Sequence, residues 1–373
     1  MRLAEVELRR VALPLVAPFR TSFGEETARD VLLVRVATAD AEGWGECVAG
    51  AEPRYSSEYV DGAADVLRRF LLPAVADLHD LRPEAVAPAL GFVRGHRMAK
   101  AALELAVLDA WLRARGIPLA SHLGATRERV PAGVSVGIMG SLAELLDAVA
   151  GYLDAGYLRI KLKIEPGWDL EPVAAVRERF GDELALQVDA NAAYTLADAA
   201  HLAGLDPFGL LLIEQPLPEE DLLGHAELQR RLRTPICLDE SITSVKAASD
   251  ALALGACRIV NVKAGRVGGY LEARRLHDLC HARGVPLWCG GMLETGIGRA
   301  ANVALAALPG FTLPGDTSAS DRYFHLDLTD PFVLRDGHLA VPRGPGLGVE
   351  PLPAVLEELT TSVERFRAGR PTG

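Results

Sequence analysis

Five short apolar segments, each ending near a charged residue, decide the fold of this chain. They are LRIKLKI (158–164), ELALQVDAN (183–191), LLLIEQP (210–216), PICLDES (235–241) and RIVNVKAG (258–265). Intervals of 26, 25, 25 and 24 residues separate Lys163, Asp189, Glu214, Asp239 and Lys263. One strand, one helix and two connections need about this length. The spacing therefore predicts a parallel sheet with right-handed helical crossovers.

The same pattern continues on both sides of these five segments. VPAGVSVGI (130–138) and VPLWCGG (285–291) predict two more strands, and we expect a weak eighth strand at 310–314. Thr195 and Ser244 precede amphipathic segments and predict helix N-caps. About eight strands alternating with helices favour a closed α/β barrel over an open sheet.

The two ends of the chain have other patterns. Residues 1–50 alternate as strands do around a turn at DAEG (40–43), and residues 57–115 are apolar at helical spacing. These regions predict an α+β unit of roughly 120 residues. After a turn at Asp336-Gly337, we expect a final helix near 354–367 that packs back on this first unit.

Composition excludes several classes of protein. The 373 residues carry 39 Lys+Arg and 50 Asp+Glu, a net charge of −11, which disfavours nucleic-acid binding. No apolar run approaches the ~18 residues of a membrane helix, and MRLAEVELRR (1–10) has no signal-peptide core. The five cysteines form no CxxC pair. We expect a cytoplasmic protein that binds neither nucleic acid nor membrane.

Three of the charged strand ends are carboxylates on neighbouring strands. Asp189, Glu214 and Asp239 would repel one another strongly unless positive charge lay between them. Oxygen ligands suit a hard divalent cation, so the pattern predicts a Mg²⁺ site, with Mn²⁺ or another divalent cation as alternatives. A network of salt bridges is the competing interpretation.

The lysines suggest acid–base chemistry. Lys161 and Lys163 are two apart on one predicted strand, so both side chains point to the barrel interior. Lys263 ends the sixth strand, diametrically opposite the second in an eight-stranded barrel. Lys163 and Lys263 would then face each other across the barrel mouth and address opposite faces of a substrate.

These residues carry a resemblance to a known family. KLK (161–163), VDAN, IEQP, CLDES and NVKAG resemble the muconate-lactonizing subgroup of the enolase superfamily, and the likeness runs from PLVAPFRTSFG (14–24) to GLGV (346–349). HRMAKAALELAVLDAWLRA (96–114), GRVGGYLEARR (265–275) and TLPGDTSASDRY (312–323) are most similar to N-acylamino acid racemases that also serve as o-succinylbenzoate synthases. The resemblance implies a modified TIM barrel, (β/α)7β, with an N-terminal α+β capping domain completed by the C-terminal segment. It also implies a homo-oligomer.

The resemblance also implies roles for individual residues. Asp189, Glu214 and Asp239 match the metal ligands, and Lys163 and Lys263 match the acid/base pair. Lys161 matches the lysine that helps hold the substrate carboxylate. Asn191 and Glu240 belong to the polar surroundings, and Asn191 is also expected to contact the substrate. The implied reaction removes a proton α to a carboxylate and passes through an enediolate. Return of a proton to the other face gives racemisation, whereas loss of a β-hydroxyl gives o-succinylbenzoate in the menaquinone pathway.

The resemblance also locates the substrate pocket. In the family, a mobile loop closes over the barrel mouth, and PFRTSFG (18–24) is that loop here. Expected pocket residues are Phe19, Phe23, Tyr55, Ser135, Gly291, Leu293 and Tyr323. For the aromatic residues, core packing is the alternative. Gly50 departs from the larger apolar residue, often Met, that related sequences carry.

Other functions stay open at this point. The same residues suit a dipeptide epimerase, although DTS (316–318) replaces the usual DxD pair, or a muconate cycloisomerase. From another class, the chain could be a catalytically silent metal-binding barrel protein, although no lysine or ligand is missing. We expect a capping domain at 1–125, a catalytic barrel at 126–325 and a C-terminal segment at 326–373. The expected partner is a small carboxylate substrate.

Overall fold

The computed structural model describes residues 1–367 and begins with an antiparallel sheet. Strands β1 (Leu3–Thr21), β2 (Gly24–Thr38) and β3 (Glu42–Cys47) pair in that order, with a turn at 39–41 as predicted. Residues on β2 alternate between two cores. Val31 and Leu33 pack towards the barrel, while Leu32 and Val34 pack towards the helices of the cap.

The helices of the cap cover one face of this sheet. They are α1 (Val60–Val66), continued by a π-helical turn at Leu67–Leu71, then α2 (Leu72–Ala76), α3 (Pro83–Ala89), α4 (Arg97–Arg113) and α5 (Leu119–Leu123). The backbones of α4 and β3 approach each other closely. A Cβ atom at Gly45 would lie only 1.9 Å from the Ala102 carbonyl oxygen. Glycine is required there to bring helix and sheet together.

The barrel contains seven parallel strands in sequential order, which confirms the seven predicted segments. They are β5 (Gly133–Val136), β6 (Arg159–Lys163), β7 (Leu186–Asp189), β8 (Ile213–Glu214), β9 (Ile236–Leu238), β10 (Ile259–Val262) and β11 (Leu287–Cys289), preceded by β4 (Arg129–Pro131). The expected eighth strand at 310–314 is reduced to two single bridges, Leu287–Phe311 and Ala132–Gly315. Pro314 lacks an amide donor, which limits regular pairing there.

Helices alternate with these strands around the barrel. They are α6 (Leu142–Asp154), α7 (Leu170–Phe180), α8 (Ala199–Leu202), α9 (Leu222–Arg231), α10 (Val245–Leu254), α11 (Ala264–Val267), α12 (Tyr270–Ala282) and α13 (Gly296–Ala306). Ser244 accepts from the Ala247 amide at 3.1 Å, as its predicted cap role requires. The segment after Thr195 is broken into α8 and two 3₁₀ turns, since Pro207 interrupts regular helix.

The C-terminal segment corrects one expectation. Strand β12 (His338–Ala340) pairs with β4, and α14 spans only Pro353–Leu359. The helix expected near 354–367 therefore ends early, and Thr360–Arg367 form strand β13, antiparallel to β1. The β-branched Thr360, Thr361 and Val363 favour strand over helix, and β1 offers an open edge.

Within residues 1–367, no helix is both long and apolar enough to cross a membrane. The capped α/β barrel confirms the predicted fold class. It brings the C-terminal ends of the barrel strands beneath the β1–β2 turn.

Candidate active site

The six charged residues singled out in the sequence lie at one end of the barrel. Asp189 and Glu214 end β7 and β8 and pair directly in register. Asp239 and Lys263 follow β9 and β10, while Lys161 and Lys163 share one face of β6. Each is at most 8% exposed. Buried charges require partners, so this cluster must be neutralised internally.

The lysines provide that neutralisation. The Nζ atom of Lys161 lies 3.3 Å from Asp189 Oδ2, 3.2 Å from Glu214 Oε2 and 2.6 Å from Asp316 Oδ2. The Nζ atom of Lys163 donates to Asp189 Oδ2 at 2.6 Å. On the other side, Lys263 Nζ donates to Asp239 Oδ2 at 2.7 Å. The carboxylates thus pair with amines that come from β6 and from the end of β10, four strands apart in the sheet.

The carboxyl groups differ in their protonation behaviour. Burial, together with the charge of Asp189, raises the pKa of Glu214 well above its usual value. Burial opposes ionisation of Asp189 and Asp239 too, yet the adjacent lysines hold the pKa of both below the usual value. The repulsion acting on Glu214 is what the sequence predicted for crowded carboxylates.

Polar side chains from adjacent strands fix the orientation of these acids. Asn261 Nδ2 donates to Glu214 Oε1 at 2.6 Å. The Gln215 Oε1 atom accepts from the Asp239 amide at 3.0 Å and from the Ser241 amide at 3.2 Å. Gln215 itself has φ of 35°, a strained value for a residue with a side chain. These contacts hold the acids on rigid strand ends.

Asn191 and Glu240 lie beside the cluster. Asn191 Oδ1 accepts from Lys163 Nζ at 2.6 Å, and its Nδ2 donates to Glu240 Oε1 at 2.9 Å. Asn191 also has a positive φ of 43°. Burial, reinforced by the charge of Asp239, raises the pKa of Glu240 to about 7. Strained backbone at two strand ends is typical of a functional site.

A cavity bordered by the lysines lies at this end of the barrel. The lining includes Lys163, Lys263 and all nine residues expected to contact substrate, namely Lys161, Ser135, Asn191, Phe19, Phe23, Tyr55, Gly291, Leu293 and Tyr323. The structure therefore brings every one of these residues together. Their individual roles stay predictions.

The turn between β1 and β2 covers this cavity, as expected for residues 18–24. The Arg20 carbonyl accepts from the Ile138 amide at 2.9 Å, and Ser22 Oγ donates to the Ala190 carbonyl at 3.2 Å. Arg20 also pairs with Glu165 at 2.8 Å. These polar contacts hold the tip of the turn over the mouth of the barrel.

Several residues in or beside the cavity were not predicted from the sequence. Asp316, considered only as a departure from an epimerase motif, binds both Lys161 and Arg159, the latter at 2.9 Å. Arg266 Nε lies 3.4 Å from Asp239 Oδ1. Arg29 and Glu26 line the cavity from the cap. Asp316 directly follows the weak eighth strand, the position that could have identified it.

Gly50 lies beside this part of the cap without lining the cavity. A Cβ atom there would be 3.8 Å from Glu26 Oε1 and 4.0 Å from Arg29 Nη1, which is ordinary contact. The glycine thus leaves space beside that pair.

The donor set fits a hard divalent cation in composition. Asp239 Oδ1 is buried and accepts no hydrogen bond from the described residues, although Arg266 Nε lies 3.4 Å away. As placed, however, no group of three or more His, Cys, Asp or Glu side chains in residues 1–367 could hold a metal ion. Lysine Nζ atoms lie 2.6 Å from Asp189 Oδ2 and 2.7 Å from Asp239 Oδ2. The assignment of Asp189, Glu214 and Asp239 as the three ligands therefore stays a prediction.

Fold and site together define a capped α/β-barrel enzyme with buried lysines and acids at its mouth. Residues 144–355 match the enolase C-terminal domain-like family, and residues 3–124 match the N-terminal domain of mandelate racemase and muconate lactonizing enzyme. The chain belongs to the enolase superfamily, whose members use a divalent metal. The resemblance found in the sequence is thereby confirmed.

Three named relatives are similar to this chain over nearly its whole length. An N-succinylamino acid racemase from Amycolatopsis is 67% identical over 97% of this chain and 98% of its own length. An o-succinylbenzoate synthase from Geobacillus kaustophilus is 47% identical over 97% of this chain and 96% of its own. An L-Ala-D/L-Glu epimerase from Bacillus subtilis is 28% identical over 94% and 97%.

A solved enolase-superfamily structure from Listeria innocua has the same fold. Its TM-score is 0.95 at 41% identity, with 99% of this chain and all of that chain covered.

Proposed function

We propose that this enzyme abstracts a proton α to a carboxylate, acting as an o-succinylbenzoate synthase, an N-succinylamino acid racemase, or both. The observation that carries the proposal is the cavity lined by Lys163 and Lys263, which come from β6 and from the end of β10. Because these residues come from strands two and six of the barrel, we expect the two amines to lie on opposite sides of a bound substrate.

The names of the nearer relatives support both activities. The racemase at 67% identity and the synthase at 47% bear names for the two outcomes of one proton abstraction. The epimerase at 28% is less similar, and DTS at 316–318 lacks its usual second acid. Neither a dipeptide epimerase nor a silent metal-binding barrel is favoured.

In the proposed reaction, either Lys163 or Lys263 in its amine form removes the α proton, according to the face that carries it. The electron pair of the C–H bond moves into the enediolate, and the Lys161 ammonium stabilises the charge that develops on the carboxylate oxygens. For racemisation, the opposite lysine as ammonium returns a proton to the other face. For dehydration, a proton from a lysine joins the departing β-hydroxyl, which leaves as water.

A divalent cation would be held by Asp189, Glu214 and Asp239, and it would act as a Lewis acid towards the substrate carboxylate. We propose Mg²⁺, because the donors are all carboxylate oxygens. A cytoplasmic homo-oligomer acting on a small carboxylate completes the proposal, with menaquinone biosynthesis as the pathway of the synthase activity.

Proton NMR in D₂O tests this proposal directly. With Mg²⁺ present, we expect the α proton of both enantiomers of an N-succinylamino acid to exchange for deuterium. The cyclohexadiene precursor of o-succinylbenzoate, assayed in parallel, ranks dehydration against racemisation. If neither substrate reacts with any of Mg²⁺, Mn²⁺ or Co²⁺, the proposal is wrong.

A further inference from the structure

A positive charge lies in the wall of the cavity that the cap provides. Arg29, on β2, is only 3% exposed and lines the same cavity as the catalytic lysines. It belongs to the face of β2 that packs towards the barrel, since it is in phase with Val31 and Leu33. The cavity therefore has cations at its barrel end, here called the floor, from Lys161, Lys163 and Lys263. It has another cation, Arg29, on the side formed by the cap, here called the upper wall.

The hydrogen bonds of Arg29 are incomplete. Its Nη1 donates to Glu26 Oε2 at 3.1 Å, and its Nη2 donates to the Val48 carbonyl at 3.3 Å. The Nε atom is enclosed and has no partner within residues 1–367. A guanidinium group has five N–H donors in a fork that matches a carboxylate. Arg29 thus retains capacity for a further acceptor.

The anion beside Arg29 is only a partial counter-ion. Glu26 is on the same strand, three residues away, and its side chain is 38% exposed. An ion pair with such an exposed partner contributes little, whereas an oxygen ligand inside the cavity would be shielded from water. A ligand carboxylate can therefore compete with Glu26 for this guanidinium group.

Part of the cavity lining is apolar. Phe23 and Tyr55 contact each other at 5.9 Å between ring centroids, and Leu293 and Met292 also line the cavity. The hydroxyl group of Tyr55 donates to Asp239 Oδ2 at 3.0 Å, so this ring reaches from the floor into the cavity. A ligand that matches this arrangement has one carboxylate at the lysine end, a short apolar link, and a second anionic group at the cap end.

We propose that Arg29 binds the distal carboxylate of a dianionic substrate and so selects succinyl over uncharged acyl groups. The inference rests on the proposed function for the position of the first carboxylate. The alternative is that Arg29 only ties β2 to the Val48 carbonyl. A purely structural role would affect all ligands alike, whereas a recognition role would affect only those with the second charge.

Calorimetry with two matched ligands separates these interpretations. N-Succinylglycine and N-butyrylglycine have acyl chains of the same length and differ in the terminal carboxylate. With Mg²⁺ present, we expect the wild-type enzyme to bind N-succinylglycine at least about tenfold more tightly, the gain typical of one charge-assisted hydrogen bond. Equal affinities would overturn the proposal.

Variants then assign the preference to Arg29. We expect Arg29→Met to bring the ratio of the two affinities close to one, and Arg29→Lys to leave an intermediate ratio. Arg35→Met is the matched control, because Arg35 lies on the same strand and pairs with Glu42 outside the cavity. An unchanged ratio in Arg29→Met, or the same fall in Arg35→Met, would contradict the proposal.

Glu26→Gln keeps the test decisive if Arg29→Met does not fold. Because Glu26 is partly exposed, we expect the protein to tolerate its replacement. Removing this competing anion should raise the affinity for N-succinylglycine relative to N-butyrylglycine about threefold. A ratio that stays constant or falls would contradict the proposal.

Failure of the proposed function would give a different result. In that case neither ligand would show α-proton exchange, yet the calorimetric ratio would still depend on Arg29. If instead the wild-type enzyme exchanges the α protons of both ligands but binds them with equal affinity, the Arg29 subsite is rejected and the proposed function is retained.

Discussion

The floor of the cavity and its upper wall are built in different ways. The floor consists of residues at the ends of consecutive strands, repeated about every 25 residues and buried to 92% or more. The upper wall comes from the turn and strands of the cap, where Arg29 is 3% exposed but Arg20 is 46% and Glu26 is 38% exposed. We propose that the floor carries the chemistry, which needs fixed geometry, and that Arg29 in the upper wall selects among substrates.

The largest effect should come from the floor lysines. We expect Lys163→Ala and Lys263→Ala each to reduce α-proton exchange by about 10³-fold or more for one enantiomer of an N-succinylamino acid, and for opposite enantiomers. Each amine serves one face, so loss of one cannot be replaced by the other. Proton NMR in D₂O measures both rates.

Lys246→Ala is the control for these variants, because Lys246 is 80% exposed on α10 and pairs only with Asp250 among the described residues. If both lysine variants lose exchange of the same enantiomer, the assignment of one lysine to each face is wrong.

The next effect concerns the acids of the floor. Chelation of divalent metal should abolish exchange, and added Mg²⁺ should restore it and raise the melting temperature, because an ion that binds only the folded state stabilises it. Asp239→Asn should lose the Mg²⁺-dependent rise, since a neutral amide binds Mg²⁺ weakly. Differential scanning calorimetry with and without Mg²⁺ measures this effect.

Asp250→Asn is the control, because it makes the same replacement at an exposed position and should keep the full Mg²⁺-dependent rise in melting temperature. If Asp239→Asn also keeps the full rise, Asp239 is not a ligand of the metal.

A third effect concerns the joint between cap and barrel. Glu104 on α4 accepts from the Tyr270 and Leu271 amides at 2.8 and 3.0 Å, and burial raises its pKa to about 7. Because the pKa of Glu104 is higher in the folded state than its ordinary value of 4.5, the folded state holds this proton more tightly than the unfolded state does. The resulting stabilisation of the folded state is fully present below pH 4.5 and is lost as the pH rises through 7.

We therefore expect the free energy of unfolding to fall less between pH 5 and 7.5 in Glu104→Gln than in the wild type, by about 2 kcal/mol. Denaturant titration at the two pH values gives the comparison. Glu178→Gln, at an exposed position, should behave like the wild type. Parallel pH dependence in Glu104→Gln and the wild type would show that Glu104 does not take up a proton on folding.

The smallest effect should come from the upper wall. Arg20→Ala removes the 2.8 Å pair with Glu165, and such an exposed pair contributes at most about 1 kcal/mol. We expect KM to rise less than fivefold and kcat to change little, as steady-state kinetics at low salt would measure. Arg179→Ala removes a comparable surface pair, with Asp147 at 3.3 Å, away from the cavity and should change neither constant. A large fall in kcat for Arg20→Ala would mean that the turn takes part in the chemistry.

The difference between floor and wall also explains what could be predicted from sequence. Lys163, Asp189 and Glu214 are recognisable because a repeating unit places a charge where each apolar strand ends. Arg29 carries no such signal, since an arginine within a strand of the cap is usually a surface residue. Arg266 and Asp316 follow barrel strands, but only the folded chain shows that they reach Asp239 and Lys161.

The prediction of a helix through the C-terminal segment was wrong for another physical reason. Residues 360–367 pair as a strand with β1, about 350 positions earlier in the chain. The β-branched residues there are compatible with a strand, but no local window of sequence contains the partner that decides it. The barrel strands, by contrast, pair with neighbours one repeat away.

A crystal structure with Mn²⁺ and an N-succinylamino acid, in which anomalous scattering locates the metal, tests the proposed site most directly. We expect Mn²⁺ bound to Asp189, Glu214 and Asp239, with the Nζ atoms of Lys163 and Lys263 on opposite sides of the substrate α carbon. Mn²⁺ bound elsewhere, or both amines on one side of that carbon, would contradict it.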